Sequence, residues 1–173
     1  MLGLKRDAVQ VVAYCSGWST LFEQEWRVLS QHIGHLVLDI QHVGSTAVPG
    51  LDAKPIIDIA VAADSSMEIS QIRPLLCTLG YLDRGDGGID GEYLFVKESA
   101  PDVRTHHLHI VPTGSPLWSN YLRFRDVLRA DVMLRSRYAA LKKASQARFS
   151  QDRKAYTASK HAFIQDILRQ NQV

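Results

Sequence analysis

An α+β fold, built as a mixed β-sheet with flanking helices and a helical C-terminal part, is what this sequence predicts. Three observations carry the prediction. Strand-like runs before residue 113 are interrupted, and few of them form strand–helix–strand units. From residue 115 onward the apolar positions follow helical spacing. The chain has 173 residues, 46% hydrophobic and 22% charged, which matches one ordinary globular domain rather than a disordered or fibrous chain. Residues 1–173 are therefore expected to form a single domain, with an α/β part over about 8–113 and a helical part over about 115–170.

The elements follow in order. Residues 8–14 (AVQVVAY) read as a short strand. Phe22, Trp26, Leu29 and Ile33 share one helical face, with Thr20 and Glu23 as a capping box and Gly34 as the stop. Residues 35–43 alternate as a strand, with Leu36, Leu38, Ile40 and His42 on one side. A turn-rich stretch, Gly44 to Gly50, leads to 55–62 (PIIDIAVA). That continuous apolar run, broken only by Asp58, fits a buried strand. Ile69, Ile72, Leu76 and Leu79 mark a helix that ends at Gly80 and contains Pro74. Residues 81–84 and 92–97 read as strands joined by a mobile glycine-rich loop, 85–91. Residues 103–111 form another strand. Ser115-Pro116, Asp131 and Asp152 then cap three successive helices.

Composition excludes several classes. Cys15 and Cys77 are too few for a disulfide framework or a four-thiolate zinc site. No apolar run approaches the roughly 20 residues of a membrane span. Asp7 and Gln10 interrupt any signal-peptide core behind Lys5 and Arg6, so a soluble cytoplasmic protein without a membrane partner is expected. Charge is distributed unevenly. Residues 115–173 hold twelve Lys/Arg against four Asp/Glu, while the first 114 residues are net acidic. That asymmetry suggests an anionic partner, a solvated helical surface, or a face between acidic and basic parts. Binding of nucleic acid by the basic helices is a weaker reading, because no aromatic-interleaved basic strand supports it.

Chemistry concentrates in two places. In the first, Gly44 and Ser45 follow one strand and Asp58 lies on the next. Backbone amides at such a turn can cradle phosphate, and Ser45 adds a hydroxyl. Asp58 needs a partner if buried, such as a divalent cation or Lys54. A tight turn and a structural ion pair are the plainer alternatives. In the second, Arg104-Thr105-His106-His107-Leu108-His109 puts His107 and His109 on one strand face, spaced to ligate one metal or flank one substrate. A polar solvent face is the alternative there. Ser45, His107 and Asp58 lack the nucleophile-elbow context of a hydrolase. Loop 85–91 matches neither a P-loop nor a dinucleotide fingerprint.

The stretch from His42 through Leu51 (HVGSTAVPGL), followed by Ala53-Lys54-Pro55-Ile56-Ile57-Asp58-Ile59, resembles the signature of the GrpB family. So do Gly80-Tyr81, Gly88-Ile89 with Gly91, the Arg104–His109 run, Phe124-Arg125-Asp126 with Leu128-Arg129, and the Tyr156…Lys160…Phe163-Ile164 pattern. The resemblance spans roughly residues 9–168. It implies a nucleotidyltransferase-like, DNA-polymerase-beta-like fold, in a family with a related domain fused to some bacterial dephospho-CoA kinases. The superfamily pattern is Gly-Gly/Ser, a spacer, then Asp-hydrophobic-Asp/Glu. Here the spacer is residues 46–57 and Ala60 stands where the second acid belongs.

The function so implied is metal-dependent nucleotidyl or phosphoryl transfer from a nucleoside triphosphate to an acceptor. Asp58, His107 and His109 would be the catalytic and metal residues. Gly44, Ser45, Lys54, Arg104 and Arg125 would bind phosphate or nucleotide. The cofactor would be Mg²⁺ or Mn²⁺, with Zn²⁺ or another transition metal as the alternative, and Glu92 could fill in for the missing acid. Because Ala60 removes a shared ligand, a non-catalytic module binding a nucleotide, a CoA-like ligand or another phosphorylated small molecule is the competing reading.

Overall fold

The structure is a computed structural model and describes residues 2–64, 66–86, 89 and 91–170. The strands are β1 (Leu4–Lys5), β2 (Asp39–Val43), β3 (Ile57–Ala63), β4 (Tyr81–Asp83), β5 (Tyr93–Ala100) and β6 (Val103–Pro112). The helices are α1 (Gly17–Ile33), α2 (Ser66–Thr78), α3 (Pro116–Ala130), α4 (Val132–Arg148), α5 (Arg153–Ala158) and α6 (His161–Gln170). The sheet runs β2-β3-β6-β5-β4, with β1 paired to the start of β6. Among the described residues only β3 and β6 are parallel; the other pairings are antiparallel. This is the mixed α+β sheet that the sequence predicts. Among the described residues no helix is long and apolar enough to cross a membrane.

β3 is buried along almost its whole length because both faces are covered. Ile57, Ile59 and Val61 pack with Leu108 and Ile110 of β6 and with Leu29, Ile33 and Ile72 of α1 and α2. Burying each such side chain stabilises the fold by roughly 1.5–3 kcal/mol. The opposite face carries Asp58, Ala60, His107 and His109. There the helical part closes over the sheet through a second cluster, in which Val48 and Leu51 meet Leu128, Tyr138 and Ile167.

Several elements depart from the sequence reading. No strand forms over 8–14. Val12 makes one isolated bridge with Ala53, while the N–H of Val11 donates to Gln146 and that of Tyr14 to Asp52. Side chains thus satisfy donors that a ladder would otherwise need. Helix α1 starts at Gly17, with Ser16 at the cap and no side-chain cap bond, so the Thr20–Glu23 box does not form. The buried stripe includes Glu25, which accepts from Tyr81 Oη at 2.9 Å and Lys97 Nζ at 2.8 Å. Trp26 is left 43% exposed.

Gly34 stays in right-handed helical conformation and leads into a 3₁₀ turn over Gly34–Leu36, which shortens the predicted 35–43 strand to β2. The predicted last helix breaks into α5 and α6. Ser159 is held there by its hydroxyl bonds to Ser145 and to the Tyr156 carbonyl. Asp131 and Asp152 cap as expected, accepting from the N–H groups of Leu134 and Ala155 at 2.9 Å. Gly87, Gly88 and Asp90 of loop 85–91 lie outside the described residues.

Candidate functional site

Parallel pairing of β3 with β6 puts Asp58 beside His107 and Ala60 beside His109. Their side chains rise from the same face. His107 Nδ1 lies 3.1 Å and His109 Nε2 3.8 Å from Asp58 Oδ1. One ligand atom from each of the three residues falls within 4.8 Å of the others, a grouping able to hold a metal ion. Burial pushes the Asp58 carboxyl up, but the two imidazoles outweigh it and hold the group well below the usual carboxylate range. Burial pushes His107 below its ordinary value. His109 is also pushed down by burial, yet the neighbouring Asp58 carboxylate and the hydrogen-bonded Glu92 raise it to about 9.

Gly44 ends β2 directly against this carboxylate. Its φ is +68°, and a Cβ added there would sit 2.4 Å from Asp58 Oδ2. Glycine is therefore required both by the backbone conformation and by the close approach. Ser45 follows in a 3₁₀ turn, where its Oγ accepts from Lys142 Nζ at 3.0 Å. Lys142, on α4, also donates to the carbonyl of Asp52.

A second carboxylate enters just before β5. Glu92 Oε1 lies 2.5 Å from His109 Nδ1, and Tyr121 of α3 donates its hydroxyl to Glu92 Oε2 at 2.8 Å. The acid missing at Ala60 is thus not restored beside Asp58. Glu92 sits on the far side of the His109 ring.

Around Asp58 the structure gathers cations. Lys54, Lys142, Lys160 and Arg153 all lie in its electrostatic field. Lys54 and Lys160 both face the ring of buried Tyr156, at 5.2 and 4.4 Å. Tyr156 Oη has no hydrogen-bond partner among the described residues. Burial, reinforced by the neighbouring Lys160, lowers Lys54 and Lys142 to about 7, and burial lowers Lys160 to about 8. Among the described residues none of these four cations forms an ion pair, and Asp52 is paired with Lys143 at 2.5 Å. Buried cations held without ion-pair partners favour the approach of an anion.

Of the residues singled out from the sequence, Gly44, Ser45, Lys54, Asp58, His107 and His109 come together here. Arg104 lies at the border. It is in the field of Arg153, and its Nε is 3.9 Å from Glu98. Arg125 is not brought to the cluster around Asp58. Its guanidinium donates to Gln41 Oε1 at 2.8 Å, to the His42 carbonyl at 3.0 Å and to Asp126, fastening α3 to β2. Substituting Arg125 with leucine strands the buried His42 carbonyl and should destabilise the chain by about 1–3 kcal/mol in denaturant unfolding. A variant of unchanged stability would show the clamp to be idle.

Sequence reasoning missed Lys142, Lys160, Arg153 and Tyr121 as site residues. The basic surplus after residue 115 was the available signal, but it does not say which of twelve cations point inward.

A family model described as GrpB protein matches residues 8–170. The Glutamate-rich protein GrpB of Alkalihalophilus pseudofirmus is 35% identical over 173 residues, covering 98% of this chain and 99% of that protein. The crystal structure of conserved protein GrpB from Enterococcus faecalis matches with a TM-score of 0.84 at 31% identity, over 93% of this chain and 96% of that one. The Cid1 poly(U) polymerase in its MgGTP-bound form matches with a TM-score of 0.55 at 14% identity, over 79% of this chain and 45% of that one. This last likeness is one of fold, and it makes the architecture nucleotidyltransferase-like.

Proposed function

The chain belongs to the GrpB family, and on that footing we propose that it transfers a nucleotidyl group from a nucleoside triphosphate to an acceptor hydroxyl with the help of a divalent metal. The observation that supports this reading best is the juxtaposition of a three-ligand group, Asp58, His107 and His109, with four cations that lack carboxylate partners. In the reaction, the acceptor oxygen attacks the α-phosphorus. The bond from that phosphorus to its bridging oxygen breaks, pyrophosphate leaves, and the hydroxyl proton passes to water. Lys54, Lys142, Lys160 and Arg153 neutralise the triphosphate, with Ser45 Oγ and Tyr156 Oη as further donors. The donor set fits a metal: one carboxylate and two imidazoles, one of them backed by a buried acid. A cation held there supplies Lewis-acid charge against the phosphate oxygens.

Calorimetric titration with the four ribonucleoside triphosphates, each with a divalent metal or with EDTA, tests the reading. Labelled nucleotide then reports turnover. Metal-supported binding with pyrophosphate release is expected. The full burial of Ala60 where the superfamily pattern has a second acid favours a second reading, a sensor of a nucleotide or another phosphorylated small molecule. Binding that persists in EDTA without consumption would select it.

Two further outcomes follow from the cations. Binding of ATP in EDTA favours the protonated lysines. Affinity should therefore be greatest below about pH 7 and fall as pH rises through 7–8, by up to about tenfold per unit for each lysine engaged. Calorimetry at pH 8 in buffers of different ionisation enthalpy should show proton uptake; none would mean that the lysines do not meet the ligand. Lys142→Met removes a buried charge, so the unliganded chain should melt within a few degrees of wild type. Its ATP affinity should fall about 10- to 100-fold, the worth of one charge-assisted hydrogen bond. Equal loss of stability and affinity would assign Lys142 to the fold alone.

A further inference from the structure

We infer that Glu92, locked in place by Tyr121, makes the Asp58–His107–His109 group a site for a transition metal in preference to Mg²⁺. The inference rests on the metal centre of the proposed function and concerns which ion that centre takes.

The argument begins with the ligand atoms. Two of the three are imidazole nitrogens, and the oxygen that Ala60 would have supplied as a carboxylate is absent. Mg²⁺ is a hard ion that wants oxygen ligands and gives up its waters reluctantly. Imidazole suits Zn²⁺, Co²⁺, Ni²⁺ and Fe²⁺. Glu92 could have repaired the oxygen deficit, but both of its oxygens are committed elsewhere. Oε1 is held 2.5 Å from His109 Nδ1, and Oε2 accepts from Tyr121 Oη at 2.8 Å. The residue is 2% exposed, so water does not compete for either oxygen.

A buried carboxylate on one ring nitrogen keeps a proton there, so the other nitrogen is the one that gives up its proton to a metal. That other nitrogen, Nε2, is the atom facing Asp58. A carboxylate behind a histidine is the arrangement that orients metal-bound imidazoles and raises their basicity. His107 has no such backing. Its far nitrogen faces Arg153 Nη2, a donor, at 3.5 Å. His109 is therefore the anchoring nitrogen, and Glu92 is a positioning residue that acts through it.

The test uses Co²⁺, whose visible absorption reports its ligands, on the full chain as wild type, Glu92→Gln and Tyr121→Phe. Wild type should bind Co²⁺ saturably, and a large molar excess of Mg²⁺ should not displace it. Glu92→Gln keeps the shape but not the charge, and should weaken Co²⁺ binding about 10- to 100-fold. Tyr121→Phe should weaken it by less. Displacement by Mg²⁺ would overturn the selectivity, and a Glu92→Gln constant equal to wild type would overturn the role of Glu92. If both variants melt too low to titrate, the Mg²⁺ competition on wild type decides. Nucleotide titrations run beside these keep the two readings apart. Nucleotide binding supported by Mg²⁺, with no Co²⁺ site, overturns this inference and leaves the transfer reading standing. Co²⁺ binding without any nucleotide binding does the reverse.

Discussion

Replacing Asp58 by asparagine should abolish metal binding and, at the same time, strengthen metal-free binding of ATP. The two halves have one cause. Asp58 is the only carboxylate of the three-ligand group, and its charge is also what opposes Lys54, Lys142, Lys160 and Arg153. Asparagine keeps the volume and an acceptor for the His107 N–H but removes the charge. Loss of an anionic ligand should cost metal affinity at least about 100-fold, since removing even a group behind a ligand costs 10- to 100-fold. The same change removes the carboxylate that all four cations share, leaving only Asp52 near Lys142 and Asp7 near Arg153. ATP affinity in EDTA should then rise several-fold, because a unit charge a few ångströms away is worth about 1 kcal/mol or more near a protein surface.

Calorimetry with and without EDTA reads both signs in one variant. A residue that only ties β3 to β6 would lower both affinities or neither, and either result would sink the assignment. Acid stability adds a second readout. The Asp58 carboxyl is held below its ordinary value, so its contribution to stability is present above about pH 4 and lost as pH falls below that. The asparagine variant should lack that part of the acid-induced decline.

Gly44→Ala should be the most destabilising single-methyl change in the site. Two costs add. The backbone at φ +68° and ψ −169°, a region essentially reserved for glycine, penalises any L side chain by roughly 1–3 kcal/mol. The new Cβ would also lie 2.4 Å from Asp58 Oδ2 and 2.9 Å from Asp58 Cβ, an overlap of the kind that costs about 1–3 kcal/mol. The chain should lose roughly 2–6 kcal/mol together with its metal site, read by urea unfolding and Co²⁺ titration. Gly80→Ala is the internal control. Its φ is +84°, but nothing lies within 4 Å of the added Cβ, so only the backbone cost of about 1–2 kcal/mol applies. If the two variants lose the same stability, close approach to Asp58 is not what reserves position 44 for glycine.

Legibility varied with how local the determining interaction is. Asp58 could be marked because one acid interrupts an apolar strand, and His107 with His109 because i, i+2 places them on one face. Asp131 and Asp152 could be read as caps because a cap acts within three residues. The 8–14 segment misled because its apolar residues carry strand propensity, yet the Val11 and Tyr14 donors find side chains and Val12 makes only one isolated bridge. Arg125 lies inside a family motif, and an arginine there can serve the fold as readily as a ligand. Here it binds the Gln41 side chain and the His42 carbonyl of β2.

By itself, then, the sequence determined the α+β class, the Gly44-Ser45 turn, the acid on β3 and the paired histidines of β6. These are written in periodicity and in residue chemistry that acts over a few positions. Only the tertiary structure decided that Lys142 meets Ser45 across 97 residues of chain, that Lys160 and Lys54 face one tyrosine ring, and that Glu92 stands behind His109 with Tyr121 behind it. Periodicity says which face of an element is apolar. It does not say which helix closes on which strand, and the charge around Asp58 is set by that closure.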